Sequence, residues 1–275
     1  MPKITLQTLM CVLPQRLARI HRATSLRMQG LRVVLDGIED PGNRAAVIRS
    51  AEAMGLLHIH VIHPPGGPIE GGKTAPNRAI STGSQKWVHL QHHSNVGSCV
   101  ELLRTSGFKI YTAKPENPGD DVARCPVPLQ DLDFGHKTAL VFGNERLGIS
   151  EEMSKLADGD FTIQMFGLTE SLNISVAAAI CMHWGRQARQ RAIGAETDLS
   201  EAEQSLLLEQ YLVKSSHFQK KMKLDSARTV LTKEERRQMW EAATNASAEM
   251  AARVTEEVET EAELTRRPGR SGNSH

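Results

Sequence analysis

The chain is short of aromatic residues, has no apolar run long enough to cross a bilayer, shows no paired cysteines, and carries no acidic residue before Asp36. Each shortage excludes something. Aromatics are 4% of the residues, so any core must be filled by Leu, Val, Ile, Ala and Met. Without a long apolar run, no membrane partner is expected. Cys11, Cys99, Cys125 and Cys181 are scattered and form no Cys-x-x-Cys pair, a pattern that suits a reducing compartment better than a disulfide framework. They are expected to be packing residues. The acid-free start holds Lys3, Arg16, Arg19, Arg22, Arg27 and Arg32, although the net charge of all 275 residues is only +1. Such a segment attracts polyanions. A mitochondrial transit peptide has a similar composition, but Pro14 interrupts this one and no Ser-rich tract accompanies the arginines. A cytoplasmic protein is expected.

What is present is an alternation of short β-branched runs with longer helical stretches. "RVVLD" (32–36), "HIHVIH" (58–63), "WVHL" (87–90), "FKIYTA" (108–113), "TALVFG" (138–143) and "DFTIQM" (160–165) read as strands. "NRAAVIRSAEAMG" (43–55), "NVGSCVELLRTSG" (95–107), "SEEMSKLADG" (150–159) and "NISVAAAICMHWGRQARQRA" (173–192) read as helices. This alternation predicts an α/β fold, a parallel sheet with helices on both faces. Around that domain, 31–193, lie a basic helical extension over 1–30, a charged helical extension over 194–265 and a disordered tail over 266–275. The C-terminal extension includes "LSEAEQSLLLEQYL" (199–212) and "SAEMAARVTEEVETEAEL" (247–264).

Two motifs invite chemistry. "GPIEGGKT" (67–74) fits the P-loop spacing, with Lys73 and Thr74 in the phosphate positions. A P-loop opens straight into a helix whose amides face the phosphates. Here Pro76 and Gly83 follow, and Pro68 removes an amide from the cradle. A surface loop is the better reading, with a P-loop nucleotide-binding protein as the alternative of another class. His58 and His60 share one face of a strand, but no third metal ligand stands at a convincing spacing. His92 and His93 are adjacent and point apart. No metal is expected.

Three other segments share one arrangement, a strand end followed by small polar groups at a turn. "EDPGNRAAVIRSAEAMG" ends a strand, turns at Pro41-Gly42, lets Asn43 cap a helix and carries Arg49 within it. An Arg early in a helix opposes the macrodipole unless an anion lies nearby. "ALVFGNERLGIS" ends a strand at Gly143, exposes Asn144, Glu145 and Arg146, and turns at Gly148 into a helix that Ser150 can cap. "LTESLNISVAAA" crowds Thr169, Glu170, Ser171, Asn173 and Ser175 onto one helix entry, where one cap would suffice. Ligands of open parallel sheets bind at the carboxyl ends of strands, where these groups stand.

In this order, "DPGNRAAVIRSAEAMG", "LVFGNERLGISEE" and "ESLNISVAAAICMHW" resemble the three motifs of the SpoU/TrmH family of RNA 2′-O-ribose methyltransferases, part of the SPOUT superfamily. "GSQKWVHL" and "ADGDFTIQM" extend the likeness, which runs from about Arg16 to Arg191. The resemblance implies a trefoil knot toward the C-terminal end of the domain, which no hydrophobic pattern reveals. It implies S-adenosylmethionine as methyl donor, held by main-chain groups around Ala113, Gly143, Ile163, Met165 and Leu172. It gives Asn43 and Arg49 the first motif's roles, Glu145 the second's, and Ser171 and Asn173 the third's. Leu172 and Ile174 would then anchor that turn in the core.

A basic helix leading directly into the catalytic domain is most similar to the tRNA-modifying branch, which methylates a guanosine ribose in the D-loop. An rRNA substrate is the alternative within the family, and an inactive RNA-binding relative a further one. Arg16, Arg19 and Arg22 are the expected phosphate grips. Arg186, Arg189 and Arg191 are a second basic cluster. The resemblance also implies a homodimer whose partner completes the site. The family's activator falls on Arg49, yet arginine stays charged throughout the usable pH range. A phosphate beside it, or stabilisation of the forming alkoxide, is an easier role than that of base. Two features depart from the family: Glu170 stands where relatives often carry Gln, and the chain after Glu196 matches poorly.

Overall fold

The computed structural model describes residues 14–63, 83–115 and 126–215, together with 234, 237, 238, 241, 244 and 245. In chain order the elements are α1 (Pro14–Ser25), β1 (Leu31–Asp36), α2 (Pro41–Ala53), β2 (His58–Ile62), β3 (His89–His93), α3 (Val96–Thr105), β4 (Lys109–Ala113), β5 (Val127–Pro128), β6 (Thr138–Phe142), α4 (Glu151–Leu156), β7 (Gly159–Thr162), α5 (Ile174–Ile193) and α6 (Glu201–Lys214). Every strand and helix expected within these residues is present. The short strand β5 and the 3₁₀ turns Ser84–Trp87 and Leu129–Asp131 had no signal in the sequence. "GPIEGGKT", "SAEMAARVTEEVETEAEL" and the final segment lie outside the described residues, as do Cys11 and Cys125.

The strands form one parallel sheet in the order β3-β2-β1-β6-β4-β7-β5. β1 and β6, far apart in sequence, pair from Leu31↔Thr138 to Leu35↔Phe142. Alternate residues of these strands enter opposite cores. Val33, Leu35, Leu140 and Phe142 pack with Val47, Ile48 and Ala51 of α2 and Ala178, Cys181 and Met182 of α5. Val34, Ala139 and Val141 face Val96, Cys99, Val100 and Leu103 of α3 and Met153 of α4. Central strands buried on both sides read as continuous apolar runs, as "RVVLD" and "TALVF" do. Burial pushes the thiols of Cys99 and Cys181 up to about 12.

The chain divides into two compact units, Leu26–Leu199 and the pair Met1–Ser25 with Ser200–His275. Within the second, α1 packs on α6, and Arg16 Nε donates to Ser215 Oγ at 2.8 Å. A capping box starts α6, Ser200 and Glu203 satisfying each other's backbone amides.

Arg189 overturns one expectation. It does not join a solvated basic cluster for RNA, being 5% exposed. Its Nε donates to Asp198 at 2.8 Å, and its Nη1 to the carbonyls of Phe134 and His136. Asp198 also accepts from the amides of Gln29 and Gly30 at 2.7 and 2.8 Å. Arg186 is likewise committed, donating to the carbonyls of Leu26 and Glu196. A Cβ on Gly30 would collide with the Arg189 guanidinium and the Asp198 carboxylate. Breaking a buried pair by removing one partner strands the other's charge. Asp198→Ala is therefore expected to cost about 3 kcal/mol, read as an earlier urea midpoint with an unchanged m-value.

Candidate active site

β1 runs outward to β2 and β3, while β6 and β4 lie on its other side. The strand order thus reverses at β1, and the crevice beyond the β1 and β6 carboxyl ends is the position where such sheets bind ligands. Each loop at this crevice is built differently.

After β1 the chain turns at Gly37 and is capped into α2 by Asp40, whose carboxylate accepts from the Gly42 amide at 2.7 Å. This corrects the expectation for Asn43. Pro41 takes the first helical position, leaving Asn43 inside the first turn. Relieved of capping, its side chain points away from its own backbone. After β6, Asn144 and Gly148 exchange two backbone hydrogen bonds at 2.9 and 2.8 Å. The Asn144 side chain accepts from the amides of Arg146 and Leu147 and donates to the Gly37 carbonyl. It joins the β6 loop to the β1 loop. Gly143 permits this closeness, since a Cβ there would strike the backbone of Gly148 and Ile149. Ser150 caps α4, and its own amide donates to the buried Asp36 carboxylate at 2.9 Å. After β7 the exposed loop over 164–171 leads to Asn173, the cap of α5.

These loops bring Asn43, Glu145 and Asn173 together. Asn43 Nδ2 donates to Glu145 Oε1 at 2.7 Å, and Asn173 Nδ2 donates to Asn43 Oδ1 at 3.2 Å. Asn173 Oδ1 in turn accepts from the Ser175 amide at 2.9 Å and the Ser175 hydroxyl at 2.6 Å. The direction of this relay is fixed at both ends. A carboxylate only accepts, so Asn43 must offer it the amide nitrogen; a backbone N–H only donates, so Asn173 must offer it the oxygen. Glu145 does not pair with Arg146, and its second oxygen has no protein partner among the described residues.

Arg49 is exposed and stands outside the relay. Six residues along an ideal helix carry it about 9 Å and about 240° from Asn43. Ser171 is exposed and makes no side-chain hydrogen bond among the described residues. Leu172 is half-buried and Ile174 buried, which fixes the turn that presents Asn173. Ala113, Gly143 and Ile163 stand at or just beyond the ends of β4, β6 and β7, neighbours in the sheet. Met165 lies in the exposed loop. Arg19 and Arg22 are exposed on α1, whereas Arg16 is half-buried against Ser215.

The sequence pattern left Asp40 and Ser175 without roles, and it marked Asn144 only as an exposed polar residue. Asp followed by Pro is a recognisable helix entry. Nothing local distinguishes the side-chain bond from Asn144 to Gly37, which spans distant parts of the chain.

Residues 30–183 match the model of the SpoU rRNA Methylase family. The chain belongs to this family. It is 35% identical over 178 residues to the tRNA (guanosine(18)-2'-O)-methyltransferase of Thermus thermophilus, a match covering 64% of this chain and 84% of that protein. It is 31% identical over 198 residues to the Escherichia coli enzyme of the same description, covering 71% and 81%. Among solved structures, the A. aeolicus TrmH/SpoU tRNA modifying enzyme aligns with a TM-score of 0.60 at 29% identity, over 73% of this chain and 96% of that one.

The relay can be tested through its sign. Asn43→Asp sets two carboxylates face to face where a donor met an acceptor. RNA methylation is expected to fall about tenfold or more, and Glu145→Gln added to it should restore part of the loss by supplying a new donor. Equal rates for the single and double variants would show that the contact is idle.

Proposed function

We propose that this protein is an S-adenosylmethionine-dependent tRNA (guanosine(18)-2'-O)-methyltransferase, acting on a ribose 2′-hydroxyl in the D-loop. The observation that carries the reading is the meeting of Asn43, Glu145 and Asn173 across three loops at the strand-order reversal. Identity above 30% with two enzymes of that description supports the substrate.

The donor set fits S-adenosylmethionine. Ala113, Gly143 and Ile163 offer main-chain groups on adjacent strand ends, and Met165 and Leu172 add a loop on one side. Backbone amides and carbonyls can bond purine and ribose edges, and a Cβ at Gly143 would break the turn that presents them. When bound, the donor supplies a sulfonium methyl for displacement by oxygen. The protein's part is alignment and charge. Asn173, held by Ser175 and Asn43, fixes one wall, and Glu145 presents a free carboxylate oxygen to a donor group. Ser171 stands two residues before Asn173 on the same turn. Arg49, positively charged, takes the side of the ribose, where it stabilises the forming alkoxide or holds a phosphate against it. Alignment of the reacting atoms provides much of the acceleration.

Arg19 and Arg22, with the half-buried Arg16, grip tRNA phosphates. A second copy completes the site in this reading. Val176 and Ile180 are exposed on α5, and Phe166 and Leu168 are fully presented on the loop beside it, at 95% and 104% exposure. Such an apolar set marks an association surface. The trefoil knot and a cytoplasmic setting belong to the same reading. No helix among the described residues is long and apolar enough to cross a membrane.

Arg49→Ala is expected to lower turnover by about 100-fold or more while leaving the Kd for tRNA within about threefold (a small effect on the affinity scale), measured with labelled methyl donor and filter binding. Unchanged turnover would remove Arg49 from the site. Ribose-methylation mapping in cells lacking the gene should show one missing guanosine methyl in the tRNA D-loop. An intact tRNA profile with a lost rRNA methyl would favour the rRNA alternative.

A further inference from the structure

Away from the crevice, β2 and β3 carry an unusual run of histidines. In register, His58 faces His89, with ring centroids 5.1 Å apart. His60 Nδ1 meets His93 Nε2 at 3.0 Å, and on the opposite face His63 Nε2 meets His92 Nδ1 at 2.9 Å. Over the His60–His93 pair lies α3, which lowers Cys99 into the same core. One ligand atom each from His60, His93 and Cys99 lies within 4.8 Å of the others. The three residues are 0%, 7% and 0% exposed. Spacing along the chain supplies no third ligand for His58 and His60. The fold supplies one, because the edge strand and the helix after it return over β2.

Soft thiolate combined with two imidazoles is a ligand set for Cu(I) or Zn(II). The surroundings separate them by charge. Arg32 Nη1 reaches His60 Nε2 at 3.4 Å, so a cation already stands beside the cluster. A thiolate with a monovalent ion adds no net charge there, while a divalent ion would add a buried positive charge next to the guanidinium.

We infer that His60, His93 and Cys99 form a binding site for a single monovalent soft metal ion of the Cu(I) class. Metal ligation releases the thiol proton. It also requires one change at His60. Arginine only donates, so without metal His60 Nε2 accepts from Arg32 and Nδ1 carries the proton toward His93. With metal on Nδ1 the proton moves to Nε2, and the 3.4 Å contact to Arg32 opens. The guanidinium has a seat for that movement, already lying 4.2 Å from the centroid of the Phe108 ring. Bound metal would tie the edge strand β3 to β2 and α3.

The test reads metal alone. The full-length protein, purified without oxygen, is titrated with Cu(I) against a chromophoric Cu(I) chelator and, separately, with Zn(II) against a zinc chelator. One tightly held Cu(I) equivalent is expected, with two nitrogens and one sulfur by X-ray absorption and a raised thermal midpoint. Cys99→Ser and His93→Gln should each weaken retention at least 100-fold, with circular dichroism checking that each is folded. Cys181→Ser, which alters a buried thiol in the other core, should retain the ion. Failure to hold Cu(I), or retention unchanged in both ligand variants, overturns the site. Tighter binding of Zn(II) than of Cu(I) overturns the charge argument and with it the assignment.

Discussion

The pairing of β1 with β6 is the constraint on which the other features rest. Two strands separated by most of the domain lie side by side in register from Leu31↔Thr138 to Leu35↔Phe142, and both are buried on both faces. The pairing sets the β1 loop against the β6 loop, and Asn144 then ties the second loop to Gly37 of the first. Without it, Asn43 and Glu145 would be two unrelated polar residues at two strand ends. Burial and hydrogen bonding act together here, since a central strand without neighbours would strand its backbone groups away from water.

Close approach is the second theme. The β6 turn works because Gly143 has no side chain to meet Gly148, and the Arg189–Asp198 pair closes over Gly30 for the same reason. In both places absence of a Cβ lets backbone polar groups reach partners. The two sites use the resulting contacts differently. Asp198 is satisfied on all sides by Gln29, Gly30 and Arg189, which makes it a clasp. Glu145 is satisfied at one oxygen and open at the other, which makes it available to a ligand.

The same contrast separates the arginines. Composition groups Arg186, Arg189 and Arg191 with Arg16, Arg19 and Arg22 as cationic clusters. In the fold, Arg186 Nη2 donates to carbonyls, Arg189 donates to two carbonyls and a carboxylate, and Arg191 lies over Trp184. Arg19, Arg22 and Arg49 remain exposed, and so does Arg191 despite that ring contact. Sequence patterns record charge but not its commitment, because the partners are carbonyl groups that every residue possesses.

Taken alone, the sequence determined the alternation of strands and helices, the two-sided burial of "RVVLD" and "TALVF", and the three polar turns with Asn43, Glu145 and Asn173. These follow from local periodicity, from capping chemistry and from motif order, all of which are written within a few residues of one another. The tertiary structure decided the rest. It passed the capping of α2 from Asn43 to Asp40 and so freed an amide for the site. It set the direction of the Glu145–Asn43–Asn173 relay, buried Arg189, and laid Cys99 across His60 and His93. Each of these joins groups far apart in the chain, and such contacts depend on which strands become neighbours, a property of the sheet order and not of any local stretch.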